Sequence, residues 1–83
     1  MEEKDSIRIG DEVTVSIFGP DGSLLNKITK KDCHSIENVV EEAIRQSHID
    51  ISPEDCVFEV TNLTTGVSHR YRLNAHGHIK LII

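Results

Sequence analysis

Eighty-three residues provide for one small domain, because a second fold would need a core of its own. A chain that is 37% hydrophobic and 28% charged is neither disordered, collagenous nor membrane-spanning, and no apolar run approaches the ~20 residues that a spanning helix requires. Nine Lys and Arg against fourteen Asp and Glu leave a formal charge of −5, which repels phosphate backbones and anionic membranes.

The two cysteines and the lack of an apolar N-terminal stretch point to free thiols in a cytoplasmic chain rather than to a disulfide framework. Residues 1–11 carry Glu2, Glu3, Asp5 and Asp11 with only Ile7 and Ile9 as apolar anchors, too little buried area to offset the entropy of ordering. They are expected to form a flexible acidic arm, with residues 12–83 as the single domain. Val13, Val15 and Ile17 alternate with Thr14, Ser16 and Phe18, the period of a half-buried strand. Gly19-Pro20-Asp21-Gly22 supplies turn chemistry, and Leu24, Leu25 and Ile28 resume an extended run to about Lys30, so the first two elements read as a β-hairpin.

Ile36, Val39, Val40, Ala43 and Ile44 recur at helical spacing and predict a helix ending near Gln46 or Ser47. Ser35 is its N-cap, Glu37 complements the first turn, and Glu41 stands four residues before Arg45. Ser52-Pro53-Glu54-Asp55 then forms a polar turn in which proline bars helix continuation. Cys56, Phe58 and Val60 alternate as a third strand, with Cys56 as a small buried apolar residue. Val67 to Leu73 forms a fourth strand, and His78 to Ile83 a fifth whose density of apolar branched residues suggests a central position. The core is expected from Val13, Val15, Ile17, Leu24, Ile28, Ile36, Val39, Val40, Ala43, Ile44, Ile51, Phe58, Val60, Ile79 and Leu81. The fold class is α+β, with one helix against one face of a sheet of four to five strands.

This element order, with Ser35-Ile36-Glu37-Asn38-Val39 at the helix start and Ile51-Ser52-Pro53-Glu54-Asp55 at the following turn, resembles the ubiquitin-like β-grasp fold. The resemblance implies a mixed sheet whose last strand lies between strands one and three, parallel to strand one. A C-terminal antiparallel meander, ββαβββ, with a tight turn at His76-Gly77, is the alternative. Ubiquitin and its sulfur-carrier relatives act through a terminal Gly-Gly tail, whereas this sequence reads Leu81-Ile82-Ile83, so conjugation and sulfur carriage are not expected unless a longer or processed form supplies that tail. The resemblance also puts Glu59 where ubiquitin's apolar patch has its central isoleucine, and Ile82 at another patch position, so a different partner is implied.

Candidate chemistry is sparse. Cys33, His34, His69, His76 and His78 lack the paired spacing of a structural zinc site, so neither metal nor cofactor is expected. No signature joins a nucleophile to a base, and the expectation is a protein that is not an enzyme. His69-Arg70-Tyr71-Arg72 is the one basic and aromatic cluster, with Arg70 and Arg72 on one strand face and His69 and Tyr71 on the other. It reads either as an edge strand blunted by charge or as a nucleic-acid contact, the second disfavoured by the overall charge. The leading expectation is a non-catalytic protein-interaction module docking through Val57, Glu59, Arg70, Arg72, Lys80 and Ile82, with a protein partner and no membrane association.

Overall fold

A computed structural model describes residues 10–31 and 35–82. They form β1 (Glu12–Phe18), β2 (Leu24–Lys31), α1 (Ile36–Ser47), a 3-10 turn (Pro53–Asp55), β3 (Val57–Asn62), β4 (Val67–Leu73) and β5 (Ile79–Ile82). The strands build one sheet in the order β2-β1-β3-β4-β5, and every neighbouring pair is antiparallel. The expected α+β class therefore holds. The mixed sheet is replaced by the meander alternative, because β1 pairs directly with β3 and β5 lies outside β4.

Local chemistry explains that outcome. Asn74 Oδ1 accepts from the amides of His76 and His78, and the Gly77 amide donates to the Asn74 carbonyl, with Gly77 at φ +83°. Four residues so folded reverse the chain, whereas a parallel insertion beside β1 needs a connection of a dozen residues or more. β5 is consequently an edge strand and not the central one its apolar density suggested.

Both β2 and β3 run antiparallel to β1 and so point the same way, which obliges the chain between them to cross over the sheet. α1 is carried by that crossover. Ser35 Oγ accepts from the Asn38 amide at 3.1 Å and starts the helix, and His48, at φ 50°, ends it in the left-handed conformation. Arg45 pairs with Glu42 at 3.2 Å and not with Glu41.

Ile36, Val39, Val40 and Ala43 are buried together with Val13, Val15 and Ile17 of β1 and Phe58 and Val60 of β3. Cys56 is buried as expected. Burial raises its thiol pKa, with the Asp55 carboxylate adding to the effect, and its Sγ lies 3.6 Å from the Ser52 carbonyl. Tyr71, on the strand face opposite Arg70 and Arg72 as the alternation predicts, joins the core at 3% exposure, a member the expected core lacks. Two expected core residues leave it. Leu24 is 55% exposed, beside a register irregularity at Ile17/Phe18, and Leu81 is 41% exposed on the edge strand.

Asp11, placed by its charge in the flexible arm, is instead buried and accepts a 2.8 Å hydrogen bond from Asn62 Nδ2. The expectations for residues 1–9, Cys33 and His34 lie outside the described residues. Among the described residues, no helix is long and apolar enough to cross a membrane.

Candidate functional site, an open sheet face

The alternation of side chains along β-strands gives this sheet two unlike faces. The face under α1 takes Val13, Val15, Ile17, Phe58, Val60 and Tyr71. The register sends their neighbours to the other side, and all six residues expected to bind a partner lie there. One cross-strand row runs Lys27, Ser16, Glu59, Arg70 and Ile82. The next runs Phe18, Val57, Arg72 and Lys80, with Arg72 one register step from the Phe58–Tyr71 pair. A third row is made of hydroxyls: Thr14 and Thr29 lie 3.1 Å apart, and Thr61 and Ser68 2.9 Å.

Charge is distributed unevenly over the molecule. The open face holds Lys27, Lys31, Arg70, Arg72 and Lys80 against Glu12 and Glu59, so it is basic on a chain whose net charge is −5. α1 instead carries Glu37, Glu41 and Glu42 against Arg45. Arg70 Nε meets Glu59 Oε2 at 3.3 Å, an exposed cross-strand pair of the kind that adds little stability but fixes the guanidinium in place.

β4 has partners on both sides, so Arg70 and Arg72 do not guard a free edge, and the edge-blunting reading of this cluster does not apply.

Two shallow depressions mark the face. One of about 230 Å³ is lined by Phe18, Pro20 and Val57 with Arg70 and Arg72 at its side. The hairpin turn that borders it is fixed by Asp21, whose two carboxylate oxygens accept from the amide and the hydroxyl of Ser23 at 3.0 Å each. Those bonds hold its carboxyl below the usual carboxylate pKa. The other depression, of about 320 Å³, has Thr14, Ser16, Lys27, Thr29, Glu59 and Thr61 around it.

Sequence reasoning missed Phe18, Lys27 and Lys31 as members of this face. The signal was present, since Lys27, Thr29 and Lys31 alternate through β2 just as Thr14, Ser16 and Phe18 do through β1.

The histidines do not assemble. His69 lies on the helix side with its ring 6.4 Å from that of Tyr71, while His76 and His78 decorate the β4–β5 turn. Among the described residues, no three His, Cys, Asp or Glu side chains gather to hold a metal ion. In comparisons with known proteins, no family model matches this chain, and neither a curated protein nor a solved structure does.

Proposed function

We propose that this protein is a non-catalytic interaction module whose open sheet face docks an acidic protein surface with an apolar centre. The observation that carries the reading is that one face holds five cations, Arg70, Arg72 and Lys80 in the rows at and beside Phe18 and Val57 and Lys27 and Lys31 farther along β2, although acids outnumber bases over the whole chain. Electrostatic complementarity would steer an acidic partner to this side and away from α1, and the apolar centre would supply the desolvated contact that holds it. The resemblance to ubiquitin enters only through the capping chemistry of Ser35–Val39 and the turn after Ile51, and partner recognition here does not depend on it.

The test is a pull-down from source-cell lysate with the wild-type chain beside Arg72→Glu/Lys80→Glu. Both side chains are exposed, and neither belongs to an ion pair among the described residues, so the variant is expected to melt within about 1 kcal/mol of wild type. A protein retained by wild type and lost with the variant is the expected outcome. Equal retention by a folded variant would refute the docking face.

A second reading, nucleic-acid binding by the same face, is favoured by the exposed hydroxyls of Thr29 and Ser68 on the cationic face. It is weakened by there being a single aromatic ring, Phe18, placed to stack on a base. Its signature is affinity for RNA or DNA falling steeply with salt. On the leading reading, a labelled RNA shows no binding at physiological ionic strength.

A further inference from the structure

The side of the molecule opposite the proposed docking face holds a second feature, at the outer edge of β5, which pairs with no other described strand. α1 packs chiefly on β1, β2 and β3, so the sheet extends beyond the cover of the helix. That strip is apolar and only partly covered, with Tyr71 buried, Leu73 and Ile79 half-buried and Leu81 exposed. Tyr71 and Leu73 of β4 and Ile79 and Leu81 of β5 floor a furrow whose other wall is α1, through Val40 and Ile44. Two depressions of about 300 and 230 Å³ share Glu37 and Ile79 and so form one channel running along the edge strand.

Backbone groups line the same channel. The Asn74 amide donates to the His78 carbonyl at 2.9 Å, closing the β4–β5 hairpin one step before the Leu73–Ile79 pair. Bonded and non-bonded pairs alternate in an antiparallel ladder, so Lys80 and Ile82 bond to β4. The N–H and C=O groups of Ile79 and Leu81 therefore point outward along the edge that no described strand pairs with. Their side chains lie on the furrow side. A strand added here would place the residues opposite Ile79 and Leu81 into the furrow, and their neighbours onto the open face beside Lys80.

The rim determines what those residues should be. Glu37 and Glu41 are exposed at the helix wall, and among the described residues neither pairs with a cation, since Arg45 is taken by Glu42. An apolar floor under two carboxylates suits aliphatic residues alternating with arginine or lysine, whose stems lie on Ile79 and Leu81 while their charged ends reach the rim. A second copy of this chain is a poorer occupant. Two β5 edges placed together would set two acidic helices along one trough and leave its floor open.

The geometry points to β5 as an acceptor for an extended, basic and apolar segment of another protein, which binds as a sixth strand with alternate side chains in the furrow beneath Glu37 and Glu41. Its furrow contacts lie on the helix side of β5, opposite the open sheet face.

The experiment uses a labelled nine-residue peptide in which serine alternates with valine, arginine, valine and lysine, and a counterpart carrying glutamate in place of the two cations. Binding is followed by amide NMR on wild type and on Glu37→Lys/Glu41→Lys. The expected result is binding of the basic peptide, with shifts and slowed hydrogen exchange at Ile79 and Leu81. The rim variant should reverse the preference between the two peptides by about tenfold, the effect of two exposed charge pairs. Lys27→Glu, an exposed open-face substitution on β2 at the far edge of the sheet, should leave this binding in place, which separates failure here from failure of the sheet-face reading. No binding at millimolar peptide, shifts confined to the open face, an unchanged preference in the rim variant, or pairing of β5 with a second copy would each overturn the proposal.

Discussion

Replacing Asn62 by alanine should destabilise the domain more than its position at the end of a strand suggests. Its side chain is 3% exposed and makes three hydrogen bonds. Nδ2 donates to Asp11 Oδ2 at 2.8 Å, and Oδ1 accepts from the amides of Thr64 and Thr65 at 3.0 and 3.2 Å. The first bond has a carboxylate acceptor and contributes about 2 kcal/mol, and the shared amide pair contributes about 1 kcal/mol more. A loss of about 3 kcal/mol compares with a total stability of about 4–12 kcal/mol for a chain of this length. The melting temperature should fall by roughly 12–24 °C, read by circular dichroism and confirmed in urea with an unchanged m value.

Asn62→Asp sharpens the test, because it keeps an acceptor for the turn and sets a second carboxylate against Asp11. That carboxyl would have a raised folded pKa, so its penalty is complete above the folded value and fades as the pH falls toward the unfolded one. The aspartate variant should be less stable than the alanine variant at pH 7 and recover relative to it on acidification. An alanine variant within about 1 kcal/mol of wild type, or an aspartate variant whose deficit does not change with pH, would refute this account of the Asp11–Asn62 contact.

Two further outcomes follow from the packing. Ser35→Ala removes the acceptor for the Asn38 amide and should cost about 1 kcal/mol by denaturant titration, with no change at the open face. Cys56, probed in a Cys33→Ser background, should react with a thiol reagent far more slowly than a model thiol at pH 8. The reaction should accelerate in urea, since burial raises its pKa and unfolding returns it toward 9.0. As ionisation is easier in the unfolded chain, its contribution to stability declines as the pH rises through that ordinary value.

The elements were readable in the chain because each has one apolar period. Val13, Val15 and Ile17 mark β1, and Ile36, Val39, Val40 and Ala43 mark α1, by burial demands that act locally. Strand order is a different kind of information. Ile79 to Ile82 looks like an interior strand because apolar branched residues are dense there, yet density does not reveal whether one edge or two are paired. The reversal between β4 and β5 is read from the sequence only as the alternative to the mixed sheet, because the Asn74 side-chain bonds that hold it compete with the likeness to ubiquitin in element order. Asp11 and Leu24 failed for opposite reasons. A buried carboxylate needs a donor 51 residues away in sequence, and a leucine beside a register irregularity no longer follows the alternation. The candidate binding residues were placed on one face by period-2 alternation alone, whereas the furrow depends on how far α1 reaches across the sheet, which no local pattern encodes.

The crossover from β2 to β3 has a kinetic consequence. β1 contains the most strand-prone stretch of the molecule, Val13 to Phe18, and one of its edges is filled at once by its hairpin partner. The other edge waits for β3, which emerges only after the intervening 25 residues, Asp32 to Cys56, have been made and α1 has swung across the sheet. During that interval a nascent hairpin presents a bare ladder of amides and carbonyls with an uncovered apolar face, the arrangement most open to pairing with another chain. A helix formed early would shorten that exposure, which would give the Ser35 cap a part in folding as well as in the finished fold.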